Sequence, residues 1–308
     1  MERTQRYILV RTGQVVIVVF LSLTAVFFIL RMSGNPAALF VPMDVSKTSL
    51  AQFAKEFGFD RPLWQQYLIF LWHVLHGDFG ESLAYRQSAM GLVLGHLPAT
   101  ADLALLSLAF SLCISVPLGV LAATRPGGLL DNAVSALVIG LQSIPIFWLG
   151  LLLILVFAVD LRLLPPAGRE GAASYILPVV TLSTYTMASF LRLVRSSMVE
   201  TLRQDFVRTA RAKGASATRV LVAHALRNSL IPLVTVVGLN MATLLGGAVV
   251  TETIFSWPGL GRLLMNALLN RDFTIVQAGV FFVSAVYSVL NLMVDLLYAA
   301  IDPRIHYT

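Results

Sequence analysis

The chain has 308 residues, of which 57% are hydrophobic and only 12% charged. Soluble domains carry about a quarter of their residues charged, so this composition excludes an ordinary water-soluble fold and makes the bilayer the expected solvent. The net charge of +6 does not point to nucleic acid, because the basic residues gather at the ends of apolar runs, where topology and anionic headgroups account for them.

Long uncharged runs follow one another along the chain: Thr12–Leu30, Leu103–Thr124, Asn132–Val159, Gly171–Leu191, Asn228–Thr251 and Phe273–Val294. A helix rises about 1.5 Å per residue and needs about 20 apolar residues to cross roughly 30 Å of hydrocarbon, so each run can span once. The runs are continuous rather than alternating, and a helix satisfies its own backbone in lipid. The expectation is an all-α polytopic membrane protein, one membrane domain over 1–308, with six transmembrane helices at about 9–30, 103–124, 133–158, 175–195, 229–251 and 274–300.

The first run follows Arg3, Arg6 and Arg11, as in a signal peptide. It shows no small-residue cleavage site, and Phe27 to Leu30 lead straight into Arg31, so a retained anchor is expected. An outer loop then covers 31–102. Within it Leu63, Trp64, Tyr67, Leu68, Phe70, Leu71 and Trp72 crowd a segment that Pro62 opens and Gly77 closes, which predicts a helix in the outer interface. The second run holds Cys113, the sole cysteine, so neither a disulfide nor a thiolate metal site can form within one chain. Pro117 and Pro145 interrupt the second and third runs and are candidate kinks.

Between the fourth and fifth runs lies a basic segment, 196–228, facing the cytoplasm in the expected topology. Val199, Leu202, Phe206 and Ala210 recur at helical spacing and predict one apolar face, with Arg203, Arg208, Arg211 and Lys213 elsewhere around the helix. Gly214 breaks the pattern and Ser216 caps a second short helix through Val220, Leu221 and His224. The apolar face calls for a partner protein or the membrane surface. After the fifth run, Pro258, Gly259 and Gly261 force turns among Phe255, Trp257, Leu260, Leu263 and Leu264. This segment, 252–272, is expected to dip toward the membrane or cover a cavity.

Lys and Arg set the orientation. They concentrate in the N-terminal segment, in 192–227 and at Arg125 and Arg304, and are sparse in the two short intervening loops, which places both termini in the cytoplasm of a cell-membrane protein.

Groups for catalysis are missing from the sequence. It contains no P-loop, no HExxH and no GxSxG pattern. His73 and His76 share a helical face but make an incomplete metal site. No cofactor is therefore expected on this chain. Polar residues in the spans mark either a pathway or a local pairing: Asn240 mid-span, Glu252 at the outer end of the fifth run, and Asn291 with Asp295, four apart in the last.

Together, FGFDRPLWQQYLIFLWHVLHGDFGESL at Phe57–Leu83, LPATADLALLSL at Leu97–Leu108, RTARAKGAS at Arg208–Ser216, HALRNSLIP at His224–Pro232 and ETIFSWPGLGRLL at Glu252–Leu264 resemble the inner-membrane permeases of ABC importers. The branch is that of peptide and nickel permeases, including dipeptide and oligopeptide permease B subunits. The resemblance implies a type I ABC importer permease fold. It also implies a coupling helix carrying a Glu-Ala-Ala, three residues, Gly motif, whose positions fall on Arg208, Thr209, Ala210 and Gly214, with Lys213 and Ala215 beside them. Arg208 replaces the glutamate, and Leu226-Arg227 stands where Leu-Pro is usual.

The resemblance further implies partners: a second homologous permease, ATPase subunits or fused ATPase domains carrying ATP and Mg2+, and an extracytoplasmic solute-binding protein. That protein would dock at the outer gate formed by Phe255, Trp257, Pro258, Gly259 and Gly261. Peptide is the implied substrate, with nickel or another small solute as the family alternative. A secondary transporter is a different class and would show inverted repeats and broken helices around a midplane ion site, which are not visible here.

Overall fold

Prolines and glycines decide where the apolar runs become separate helices. The computed structural model describes residues 2–32, 55, 60–82 and 84–301. Most of the expected outer loop before residue 60, and Arg304, lie outside these residues. The described chain is helical and contains no β-strand among the described residues beyond one isolated bridge, Glu81 to Ser88.

The helices are α1 (Glu2–Met32), α2 (Leu63–Leu75), α3 (Ala89–Thr124), α4 (Leu129–Ser143), α5 (Ile146–Asp160), α6 (Ala173–Leu202), α7 (Asp205–Ala212), α8 (Ala217–Ser229), α9 (Ile231–Gly247), α10 (Val249–Ile254), α11 (Leu260–Leu269) and α12 (Phe273–Ile301). Four stretches, Leu9–Met32, Ala89–Thr124, Ala173–Leu202 and Phe273–Val294, are long and apolar enough to cross a membrane singly. The count reaches six when the bent pairs α4–α5 and α8–α9 are each taken as one span.

The third run is not the continuous helix expected over 133–158. α4 and α5 meet at 99°. Pro145 disfavours helical backbone at the residue before it, and Ile144 is accordingly extended, with φ −89° and ψ 121°. α5 finishes in a π-helical turn, Ile154–Asp160. Pro117 sits within the continuous α3. That helix starts at Ala89, earlier than the expected span at 103, so its 36 residues extend about 54 Å. α6 likewise runs on to Leu202, past the expected end at 195.

The chain divides into two compact units. The described residues of the first lie within 2–100 and 258–292. Its core joins Leu23 and Leu30 of α1, Leu92 and Val93 of α3, Leu260 and Leu263 of α11, and Phe273, Ile275 and Val276 of α12. α2 begins after Pro62, as expected, and the chain behind it turns at Gly77, φ 73°. It leans on α1 through Tyr67, whose hydroxyl lies 2.6 Å from that of Thr24, and through Phe70, whose ring stacks on Phe27. Buried Asp272 precedes the first turn of α12. It accepts hydrogen bonds from the hydroxyls of Ser82 and Thr274 and from the Ile275 amide, as an N-cap carboxylate does.

The described residues of the second unit are 101–257 and 293–301. α6 is its centre, packing against α4, α5, α8 and α9. Ala122, Val134, Val138, Ala188 and Leu191 form one buried cluster. Small residues allow close approach in lipid, where van der Waals packing drives helix association. A side chain at Gly119 would lie 2.9 Å from Val194, and one at Gly238 would lie 2.4 Å from Val294.

Candidate functional site

The segment 203–229 departs from the expected single apolar face. α6 ends at Leu202 and Gln204 is extended, so Val199 and Leu202 belong to α6, whereas Phe206 and Ala210 belong to α7. The buried residue of α7 is Val207, while Phe206 remains exposed. The Val207 side chain anchors α7 by burial, in a helix that packs against α8. The spacing pattern failed here because a two-residue break shifts the helical phase.

α7 ends in a complete Schellman motif. The Ala215 amide donates to the Ala210 carbonyl at 3.2 Å and the Gly214 amide to that of Arg211 at 2.9 Å. Gly214 takes the left-handed φ of 80° that this closure needs. Ser216 then caps α8, accepting from the Arg219 amide at 3.4 Å. Of the residues assigned to coupling, Arg208, Thr209, Lys213 and Gly214 are exposed, and Ala210 and Ala215 half-buried. The hairpin thus presents the cations of Arg208, Arg211 and Lys213 and the Thr209 hydroxyl on a short, closed bend. Behind it, the Ser229 hydroxyl donates to Met198 Sδ at 2.9 Å, tying the end of α8 to α6.

About two turns before the end of α6, an ion pair joins α6 to α4. Asp131 is buried and accepts both Nε and Nη2 of Arg195, the latter at 2.7 Å, together with the Gly127 amide at 2.8 Å. A cleft of about 410 Å³ next to it is lined by Arg195, Glu200, Arg203 and Asp205 among others. Neither acid nor base was singled out from the sequence. The signal was there in Asp131 beside an uncharged run, but its partner was not.

At the expected outer gate most of the assigned residues are packed inside the fold. Phe255, Trp257, Gly259 and Gly261 are buried, and of the five assigned residues only Pro258 is exposed. Trp257 is held inside the second unit, its ring edge-on to Tyr175 at 4.6 Å and beneath the Arg169 guanidinium at 5.8 Å. Arg169 donates to the Tyr175 hydroxyl at 2.9 Å and pairs with Asp102. The bond to Tyr175 foremost, and the Asp102 charge, raise the guanidinium pKa above its ordinary value against an opposing effect of burial. The Gly168 amide donates to the Phe255 carbonyl at 2.9 Å, and that of Trp257 to the Glu252 carbonyl at 2.8 Å. Ser256 adopts φ 49° to make this turn. Phe255 and Trp257 thus shape the loop from inside the fold.

The four suggested pathway residues fall on α9, α10 and α12. Glu252 is fully buried, and the Asn240 amide donates to the Val236 carbonyl of its own helix at 2.8 Å. Asn291 is half-buried on α12, and the Asp295 side chain lies outside the described residues. A different feature sits mid-span. The α4–α5 break opens a cleft of about 340 Å³ lined by Leu141, Gln142, Ile144, Ile146, Leu149, Thr184 and Tyr185. His73 accepts or donates at Asp78 and His76 at the Trp72 carbonyl, and the described residues contain no cluster of three or more side chains suited to a metal.

Comparison with known proteins matches residues 115–307 to the family model described as binding-protein-dependent transport system inner membrane component, and residues 4–104 to the N-terminal membrane component of the same systems. The chain is 38% identical to the dipeptide transport system permease protein DppB of Escherichia coli (strain K12), over 98% of this chain and 99% of that one. It is 38% identical to the oligopeptide transport system permease protein AppB of Bacillus subtilis (strain 168), over 97% and 99% respectively. Among solved structures it resembles an inward-facing MetNI methionine ABC transporter, with a TM-score of 0.57 and 23% identity over 69% of this chain and 97% of that one. The last likeness concerns the fold.

Proposed function

Since the chain belongs to the family of binding-protein-dependent transport system inner membrane components, we propose that it is the pore-forming subunit of an ATP-driven importer of di- and oligopeptides. It pairs with a second homologous permease to enclose the pathway. ATP and Mg2+ are bound and hydrolysed by partner ATPase subunits, and an extracytoplasmic solute-binding protein delivers the peptide. Both termini lie in the cytoplasm, on the side where the 192–227 segment carries its basic residues.

The observation that carries the importer reading is the exposed, Schellman-closed bend at Arg208–Ser216, presented by a chain with no nucleotide-binding motif of its own. ATP binding closes the ATPases and pushes on this bend. Buried Val207 passes the push to α8, and the Ser229–Met198 contact passes it to α6. ATP drives the change because it binds the closed ATPase state more tightly than the open one. Peptide as cargo rests on the relatives, named for dipeptide and oligopeptide transport.

At the outer side Pro258 is the exposed tip of the Ser256–Gly261 turn and the docking contact for the binding protein, with Trp257 behind it as the rigid support. Affinity purification from native membranes tests the whole reading. Recovery of a homologous permease and ATPases, with hydrolysis raised by peptide-loaded binding protein, supports it. A chain that purifies alone and moves solute without ATP overturns it.

A further inference from the structure

We infer that the cleft at the α4–α5 break hydrogen-bonds the backbone of the passing peptide midway across the membrane, through the Gln142 amide and the Tyr185 hydroxyl. The inference rests on the peptide-importer reading and adds to it a site and a mode of recognition.

Position comes first. The break at Ile144–Pro145 falls midway along Leu129–Asp160, and Tyr185 falls midway along the fourth uncharged run with its flanks. A helix broken at the bilayer midplane, with polar groups beside it, is where membrane transporters place solute. The two side chains are also unspent. Gln142 and Tyr185 are exposed, Tyr185 by 64%, and neither side chain makes a hydrogen bond among the described residues. Thr184, by contrast, is buried and its hydroxyl already donates to the Val180 carbonyl at 2.8 Å. In hydrocarbon an unpaired amide or phenol is strongly disfavoured, so these two groups face a polar visitor and not lipid tails.

The chemistry of the cleft selects the visitor. Gln142 offers two donors and an acceptor, and Tyr185 one of each, which matches the alternating carbonyl and amide groups of a peptide main chain. The remaining walls, Leu141, Ile144, Ile146 and Leu149, are apolar, and no charged residue lines the space. Such a site reads the main chain and makes few demands on side chains, as a carrier of varied peptides requires. A volume of about 340 Å³ lies at the small end of ligand pockets, about 300–1,000 Å³, and suits a stretch of main chain better than a whole oligopeptide.

The test uses the assembled importer with Cys113→Ser as background. In that background Tyr185→Cys and Gln142→Cys should react with a charged, water-soluble thiol reagent, and the reaction should slow several-fold while peptide is held in the pathway. Tyr185→Phe and Gln142→Leu should each lower uptake of a subsaturating peptide by about three- to tenfold, the worth of one hydrogen bond. Gln142→Asn should recover part of that loss. A peptide methylated on its backbone nitrogens should show a smaller difference between wild type and Tyr185→Phe.

Thiols that do not react, or that react equally with and without peptide, overturn the inference. So does a disulfide between Tyr185→Cys and a cysteine on the second permease, which would mean that the cleft is a subunit contact. Loss of peptide uptake by the wild-type complex itself would instead defeat the peptide reading, so the two failures are distinguishable.

Discussion

Asp131→Ala removes the carboxylate that holds α4 to α6. Three donors lose their acceptor: Nε and Nη2 of Arg195 and the Gly127 amide. The acid side chain is 3% exposed and the arginine 33%. Breaking a fully buried pair by deleting one partner destabilises by about 3–5 kcal/mol. Arg195 borders the 410 Å³ cleft and keeps a third of its surface, so water recovers part of its solvation and about 1–3 kcal/mol is expected here. Reversible denaturant unfolding in detergent, run on Asp131→Ala, Arg195→Gln and the double variant, isolates the pair as a coupling energy. We expect at least about 1 kcal/mol of coupling, with the double variant less harmed than the two single losses summed. Single variants within about 0.3 kcal/mol of wild type, or strictly additive losses, would refute the reasoning, because the pair would then behave like an exposed, screened one.

Gly214→Ala should weaken the coupling bend by about 1 kcal/mol through its left-handed φ alone, since nothing lies within 4 Å of an added Cβ. Peptide-stimulated ATPase activity should fall, and Gly214→Asn should be milder; equal effects of the two would count against the conformational explanation. Gly119→Ala brings a methyl to 2.9 Å from Val194 and 3.2 Å from the Arg195 backbone and should cost about 1–3 kcal/mol. Gly140→Ala, with open space around it, should leave unfolding unchanged or raise its midpoint. Trp257→Ala should destabilise the chain by about 3–5 kcal/mol. Pro258→Ala should spare stability and weaken binding-protein docking in a pull-down; the reverse ranking would show that burial misassigns the two.

Much of this architecture was legible in one dimension. The apolar runs located the membrane helices, because about 20 residues of hydrocarbon solubility is a property of consecutive residues. Pro62 and Gly77 bounded α2, and Gly214 and Ser216 made the bend and cap between α7 and α8. Each of these is settled within a helical turn by φ preference or a local hydrogen bond. The reading of Val199 to Ala210 as one face failed for a local reason too: the extended Gln204 resets the helical phase, and no proline or glycine announces it.

The candidate sites depended on folding in space. Asp131 and Arg195 lie 64 positions apart, and Arg169 meets Trp257 only because α9 packs back against α6. From the sequence, Trp257 in a turn reads as an exposed aromatic, and Glu252 as a pathway carboxylate. Burial of both is decided by what packs over them. Tyr185 shows the same division: composition places a tyrosine inside a span, and only the 99° turn at Ile144–Pro145 puts Gln142 beside it in a shared cleft. Span, cap and bend follow from the energies of neighbouring residues along the chain, whereas ion pairs, aromatic anchors and clefts follow from which distant surfaces fill space together, and spacing along a chain does not encode that.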